Sequence, residues 1–167
     1  MKKTFLILLF SLISIGVFSQ EFEAPKNFEP KLKEDYAPFE PQILDAINWS
    51  LNTPLNEQSE KRQEVYAFFM KWITGTPSVS IELRAKHLKF SEKSPDLLVP
   101  FIMGWTKYTL ENNYSRDIIK GNEAGIITAV KFYEDNKKHL KRNKEIESLS
   151  KLIREGKLEE ELHKRFK

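Results

Sequence analysis

The stretch Asp96–Asn112, D-L-L-V-P-F-I-M-G-W-T-K-Y-T-L-E-N, decides the fold of this chain. Leu97, Leu98, Phe101, Ile102, Trp105, Tyr108 and Thr109 recur at helical spacing and fall on one broad face. A face that wide and aromatic needs cover from more than one neighbour. The pattern therefore predicts a central helix inside an all-α domain. Gly104 interrupts the stripe. Glycine weakens a helix interior by about 1 kcal/mol relative to alanine, so its presence here predicts the close approach of another backbone. Asp96 is placed to cap the helix, and Pro100 falls in or near the first turn, where a missing donor costs least.

Working upstream, Val65, Phe68, Phe69, Trp72 and Ile73 are spaced i, i+3, i+4, i+7, i+8 and predict a helix from about Glu57 to Thr74. Gly75-Thr76-Pro77 closes it, with Gly75 expected as a left-handed cap. Ile43, Leu44, Ile47 and Leu51 predict an earlier helix from about Pro41 to Leu51, stopped at Asn52-Thr53-Pro54. Between the second helix and the central one, Val79, Ile81 and Leu83 alternate with Ser80, Glu82 and Arg84, a strand pattern for which Leu88 and Phe90 could supply a partner. A lone hairpin is barely stable without packing, so 78–93 is expected as a short extended or irregular segment laid across the helices.

Downstream, Asn122 is placed to cap a helix running to about Lys138, with Ile126, Ile127, Val130 and Tyr133 inward. Gly121–Gly125 reads as a turn and helix start. Ile146, Leu149, Leu152 and Ile153 mark a helix over Lys144–Glu155, stopped by Gly156. Leu158, Leu162 and Phe166 hold a last short helix.

Met1–Ser19 stands apart. Lys2 and Lys3 precede an apolar run, Phe5–Phe18, and Val17 and Ser19 make a small-residue cleavage pattern before Gln20. The run is short for a membrane span of about 20 residues and reads as a secretory signal peptide. No cysteine follows it to take a lipid. The expected location is secreted or periplasmic, with no transmembrane segment after signal cleavage. Residues 20–41 carry Pro25, Pro30, Pro38 and Pro41, half of the eight prolines, and predict an extended arm. The organisation is thus 1–19 signal peptide, 20–41 proline-rich arm, and 42–167 helical domain, a single compact bundle of about five helices.

The formal charge is +3, but without Lys2 and Lys3 the 27 basic residues fall to 25 against 24 acidic ones. A nearly neutral mature chain has no global attraction for nucleic acid or anionic membrane. The basic run Lys137–Lys144 has no interleaved aromatics for base stacking and reads as a solvated helix end. The chain has no cysteine, so disulfides, thiol catalysis and thiolate metal sites are excluded together. His87, His139 and His163 show no metal-ligand spacing and are expected at the surface. No nucleophile elbow, phosphate loop or dinucleotide fingerprint occurs, and nothing calls for a cofactor. Asp96, Glu111, Asp117 and Glu123 flank the central helices and could face one another as an acid pair; caps and first-turn acids are the commoner use of such residues.

Phe22, Phe28, Tyr36 and Phe39 punctuate the arm, and docking on the helical body is expected near Tyr36 and Phe39, because aromatics are costly to leave in water. Trp49 lies off the Ile43–Ile47–Leu51 stripe; a second helix face, a contact with the arm and a binding surface all remain open for it. Trp49, Tyr36 and Phe39 are the candidate binding-surface residues.

The segments F-F-M-K-W-I-T-G-T-P (Phe68–Pro77), L-L-V-P-F-I-M-G-W-T-K-Y (Leu97–Tyr108), K-F-Y-E-D-N-K (Lys131–Lys137) and E-G-K-L-E-E-E-L (Glu155–Leu162) resemble small secreted helical proteins of Bacteroidetes-type bacteria. The likeness covers most of Trp49–Leu162, and the Ser19-Gln20 junction is similar to their signal ends. It implies an envelope or extracellular location in a bacterium and carries over no catalytic residue. The expected function is that of an exported, non-enzymatic helical protein binding a protein partner or an apolar ligand between helices. The alternative is a small periplasmic hydrolase using a carboxylate pair. Nothing in the sequence sets an oligomeric state.

Overall fold

In a computed structural model, which describes residues 22–84 and 87–166, the central helix α4 spans Leu98–Glu111. From Pro100 to Thr106 it is enclosed on every side. Pro100, Phe101, Ile102, Met103, Gly104, Trp105 and Thr106 are all buried, so the helix buries more than the one stripe its spacing predicts. The fold is all-helical. Around α4 stand α1 (Glu40–Asn52), α2 (Ser59–Ile73), α5 (Ile118–Asp135) and α6 (Lys144–Arg154), with two shorter helices, α3 (Lys89–Lys93) and α7 (Leu158–Phe166). No strand forms among the described residues. The signal peptide expected over 1–19 lies outside them.

The most extensive pairing is α4 with α5. It is antiparallel: Phe101 meets Gly125, Gly104 meets Ala124 and Thr128, and Trp105 meets Gly121. A Cβ on Gly104 would lie 2.3 Å from Thr128 Oγ1 and 2.8 Å from the Ala124 carbonyl oxygen, so the close backbone approach expected at this glycine is what the helices make. Gly121 serves the same packing from the other side, giving its space to the Trp105 indole, whose Nε1 would lie 2.2 Å from an added Cβ. On the remaining faces, α1 packs on α2 and α4, and α6 and α7 pack on α5.

This pairing corrects the expected start of α5. Asn122 is not a cap: it lies inside the helix and is buried, and Gly121–Gly125 is helical, not a turn. The cap is Asp117, whose carboxylate accepts from the Lys120 amide at 3.0 Å, and the helix stops at Asp135, short of Lys138. Glycines that punctuate a loop and glycines that admit a neighbouring helix look alike in sequence; here the second use wins. Asp96 is likewise not the cap of α4. It lies in a 3-10 turn, Pro95–Leu97, that leads into the helix, and Leu97 occupies the cap position. Pro100 does fall in the first turn. Gly75 is not left-handed: α2 ends at Ile73, and Gly75 is needed because the Tyr36 phenol sits where its Cβ would be. Gly156, at φ +66°, does end α6 as a left-handed residue.

The segment 78–93 divides. Ser78–Arg84 runs across the helices without a partner strand. Lys89–Lys93 is helix α3, with Phe90 fully buried, so Leu88 and Phe90 do not form a second strand. Asn143 explains this helix's place. Its side chain donates to the Phe90 carbonyl at 2.7 Å and to Ser94 Oγ at 2.9 Å, while its Oδ1 caps α6 by accepting from Glu145 and Ile146.

The proline-rich arm is docked. Phe28 is buried and its ring meets Phe39 at 4.7 Å, Phe68 at 5.2 Å and Tyr36 at 5.9 Å between centroids. Phe22 adds a further contact with Phe68. Two hydrogen bonds from α2 hold the arm's main chain: Trp72 Nε1 donates to the Tyr36 carbonyl at 3.0 Å, and Lys71 Nζ donates to that of Phe28. The indole N–H thus finds its partner while the ring stays in the core.

Candidate functional site: an apolar cleft beside an unpaired main chain

Where α2 ends, the chain turns at Pro77 and passes back over the body. Val79 is buried and anchors this passage; Ile81 is half-buried, and Leu83 remains 49% exposed. These three alternate residues face a cleft of about 230 Å³ that Met70, Ile73 and Thr74 of α2 and Ile102 of α4 complete. Three residues two apart on one cleft mean an extended backbone, because side chains in extended chain alternate in direction. The alternation in the sequence matches this shared lining, and no partner strand forms among the described residues.

Among the described residues, no charged side chain lines the cleft. Its one side-chain hydroxyl, Thr74 Oγ1, bonds back to the carbonyls of Met70 and Lys71 at 2.9 and 3.2 Å. Glu82 and Arg84 lie between and after the lining residues and pair with each other. The main chain of Val79–Leu83 has no hydrogen-bond partner among the described residues. An apolar concavity bordered by main-chain groups without partners among the described residues can hold apolar groups.

The three residues expected to form a binding surface are elsewhere. Tyr36 and Phe39 meet in the arm cluster around Phe28, half-buried. Trp49 has no ring contact with them; it is 4% exposed, with Lys61 and Arg62 over its ring at 5.6 and 5.7 Å. Its position off the first stripe is answered by α2, which covers a second face of α1. None of the three lines the cleft. The cleft residues Met70, Ile73 and Ile102 carry no separate signal in the sequence, because each belongs to a helical stripe that also builds the core.

The four flanking acids do not form a pair. Asp117 caps α5, Glu111 lies 3.8 Å from Lys107, and Asp96 is exposed on its turn. Glu123 is joined instead by Glu159, both bonded to Lys120 at 3.0 and 2.8 Å. These two carboxylates hold the Lys120 ammonium well above its ordinary pKa. The carboxylates with a shifted pKa are lowered: Glu155 by Lys157, Glu160 by Lys164, and Asp35 by the Leu32 and Lys31 amides. That is the direction opposite to what a general acid needs.

His139 and His163 are at the surface as expected, but His87 is not. It is 1% exposed, its Nε2 donates to the Arg165 carbonyl at 3.2 Å, and its ring lies 4.0 Å from that of Phe166. It therefore pins α7 to the start of α3. No cluster of three metal-ligating side chains occurs among the described residues, and none of their helices is long and apolar enough to cross a membrane.

Fold and site together define an all-helical protein with an apolar cleft at the end of α2. No family model, curated protein or solved structure matches the chain.

Proposed function

We propose that this chain is an exported, non-enzymatic binding protein of the bacterial envelope, and that the cleft beside Val79–Leu83 receives apolar groups of a partner. The observation that carries this reading is the uncharged lining of that cleft, with Leu83 49% exposed at its rim. Half-exposed aliphatic side chains around a concavity gain free energy when a ligand excludes their water. The signal-like segment before Gln20 and the resemblance to secreted helical proteins support the location.

Fluorescence titration of the mature chain with an uncharged naphthylamine fluorophore tests it. The fluorophore binds one site, and Leu83→Glu weakens binding by about tenfold or more while leaving the melting temperature unchanged, since the substituted side chain is already half in solvent. Equal binding by Leu83→Glu would contradict the assignment. Mass spectrometry of the protein from the producer's envelope fraction tests the location: a mature terminus at Gln20 is expected, and a full-length cytosolic chain would refute export.

A further inference from the structure

We infer that the main chain of Val79–Leu83 is an open edge that takes an extended segment of a partner polypeptide, whose alternate apolar side chains fill the adjoining cleft. The inference rests on the binding reading above and narrows its ligand to one class.

Two independent features point to a strand. The first is the backbone itself. Val79, Ile81 and Leu83 share the cleft, so the chain between them is extended, and no described residue bonds to its amides or carbonyls. Extended main chain with free groups on its edge is the template that another strand completes. Val79, buried in the body, fixes this edge in place, so the partner does not have to order it first. A lipid chain or small apolar molecule would fill the cleft and give these main-chain groups nothing.

The second feature is the placement of charge. The described lining of the cleft is uncharged, and the Thr74 hydroxyl is bonded within its own helix, so the lining favours apolar side chains. Glu82 and Arg84 alternate with the cleft residues and form an ion pair with each other along the edge, each side chain about 40% exposed. A strand paired with this segment meets both. It is complementary when polar or charged residues that extend this ion pair, a base across from Glu82 and an acid across from Arg84, alternate with apolar ones over the cleft.

The test uses a random peptide library displayed on phage, panned against the full mature chain, with naphthylamine binding measured in parallel. Selected peptides are expected to alternate apolar and polar residues with period two. In their complexes, amide exchange by NMR is expected to slow by about tenfold or more at alternate positions, either Ser80 and Glu82 or Val79, Ile81 and Leu83. Failure to enrich peptides, enrichment of helix-period peptides, or complexes without alternating protection would each overturn the inference. If the fluorophore still binds and Leu83→Glu abolishes that binding, only the strand inference falls. If Leu83→Glu has no effect on the fluorophore, the cleft assignment falls with it.

Discussion

Arg62 lies over Trp49, its guanidinium carbon 5.7 Å from the ring centroid, and both residues are nearly excluded from solvent. The guanidinium has no carboxylate partner among its hydrogen bonds. It donates instead to the carbonyls of Ser50 at 3.0 Å, Thr53 at 2.7 Å and Pro54 at 2.8 Å. These are carbonyls at and just past the end of α1, where helix carbonyls lose their own partners and the dipole favours a cation. A buried arginine of α2 thus closes α1, and Trp49 forms one wall of its site.

Replacing Arg62 with alanine leaves the Ser50 and Thr53 carbonyls, on two buried residues, without its donors, while the Pro54 carbonyl keeps the Glu57 amide at 3.0 Å. Hydrogen bonds from a charged group contribute roughly 1.5–3 kcal/mol, so a loss of about 3 kcal/mol is expected in urea unfolding. Arg62→Lys recovers less than half of it, because one ammonium cannot fork to three separate carbonyls. A wild-type midpoint for Arg62→Lys would show that charge alone suffices.

The same neighbourhood sets an alkaline limit. Burial pushes the Tyr66 phenol above its ordinary value, and a hydrogen bond from Arg62 opposes the shift in part. A phenol whose folded pKa is raised keeps its proton while the unfolded chain loses it. The folded state then binds more protons, so stability falls as pH rises above about 10. Tyr66→Phe should lose less stability between neutral pH and this range, as read by unfolding at both. An identical loss in the variant would remove Tyr66 as the cause.

Gly104 separates two opposing expectations. Helix propensity alone makes Gly104→Ala stabilising by about 1 kcal/mol. The α4–α5 contact makes it destabilising, because the new methyl meets Thr128 and the Ala124 carbonyl, and overpacking costs about 1–3 kcal/mol. A lower melting temperature for Gly104→Ala is the expected result; a higher one would mean that the two helices are further apart than described.

Gly75 tests the docking of the arm without touching the core. A methyl there would lie 1.9 Å from Tyr36 Oη, so Gly75→Ala must move Tyr36. Limited proteolysis should then cut within Phe22–Phe39 faster, while the helical fragment from Glu40 onward persists. Unchanged cleavage would show that Tyr36 is not what holds the arm.

The main helices are legible in the sequence because their apolar residues recur at i, i+3 and i+4, and α2 and α4 match their expected spans to within two residues. What escapes is tertiary in origin. Gly121 and Gly125 look like loop signals and become helix contacts only when Trp105 and Phe101 arrive from α4. His87 has no local signature, since the groups that enclose it come from the far end of the chain at Arg165 and Phe166. The cleft is half legible: Val79, Ile81 and Leu83 announce an extended segment, but nothing local says that it has no partner strand. Trp49 stands out in sequence for lying off its stripe, yet a second covering helix explains it without any ligand.

In the proposed function, apolar ligands bind at the cleft and not at the arm. The most direct test is to map naphthylamine-induced shifts in the amide NMR spectrum of the mature chain. Shifts are expected to concentrate at Met70, Ile73, Thr74, Val79, Ile81, Leu83 and Ile102. Shifts concentrated instead along the arm at Phe22–Phe39, or around Trp49, would contradict it.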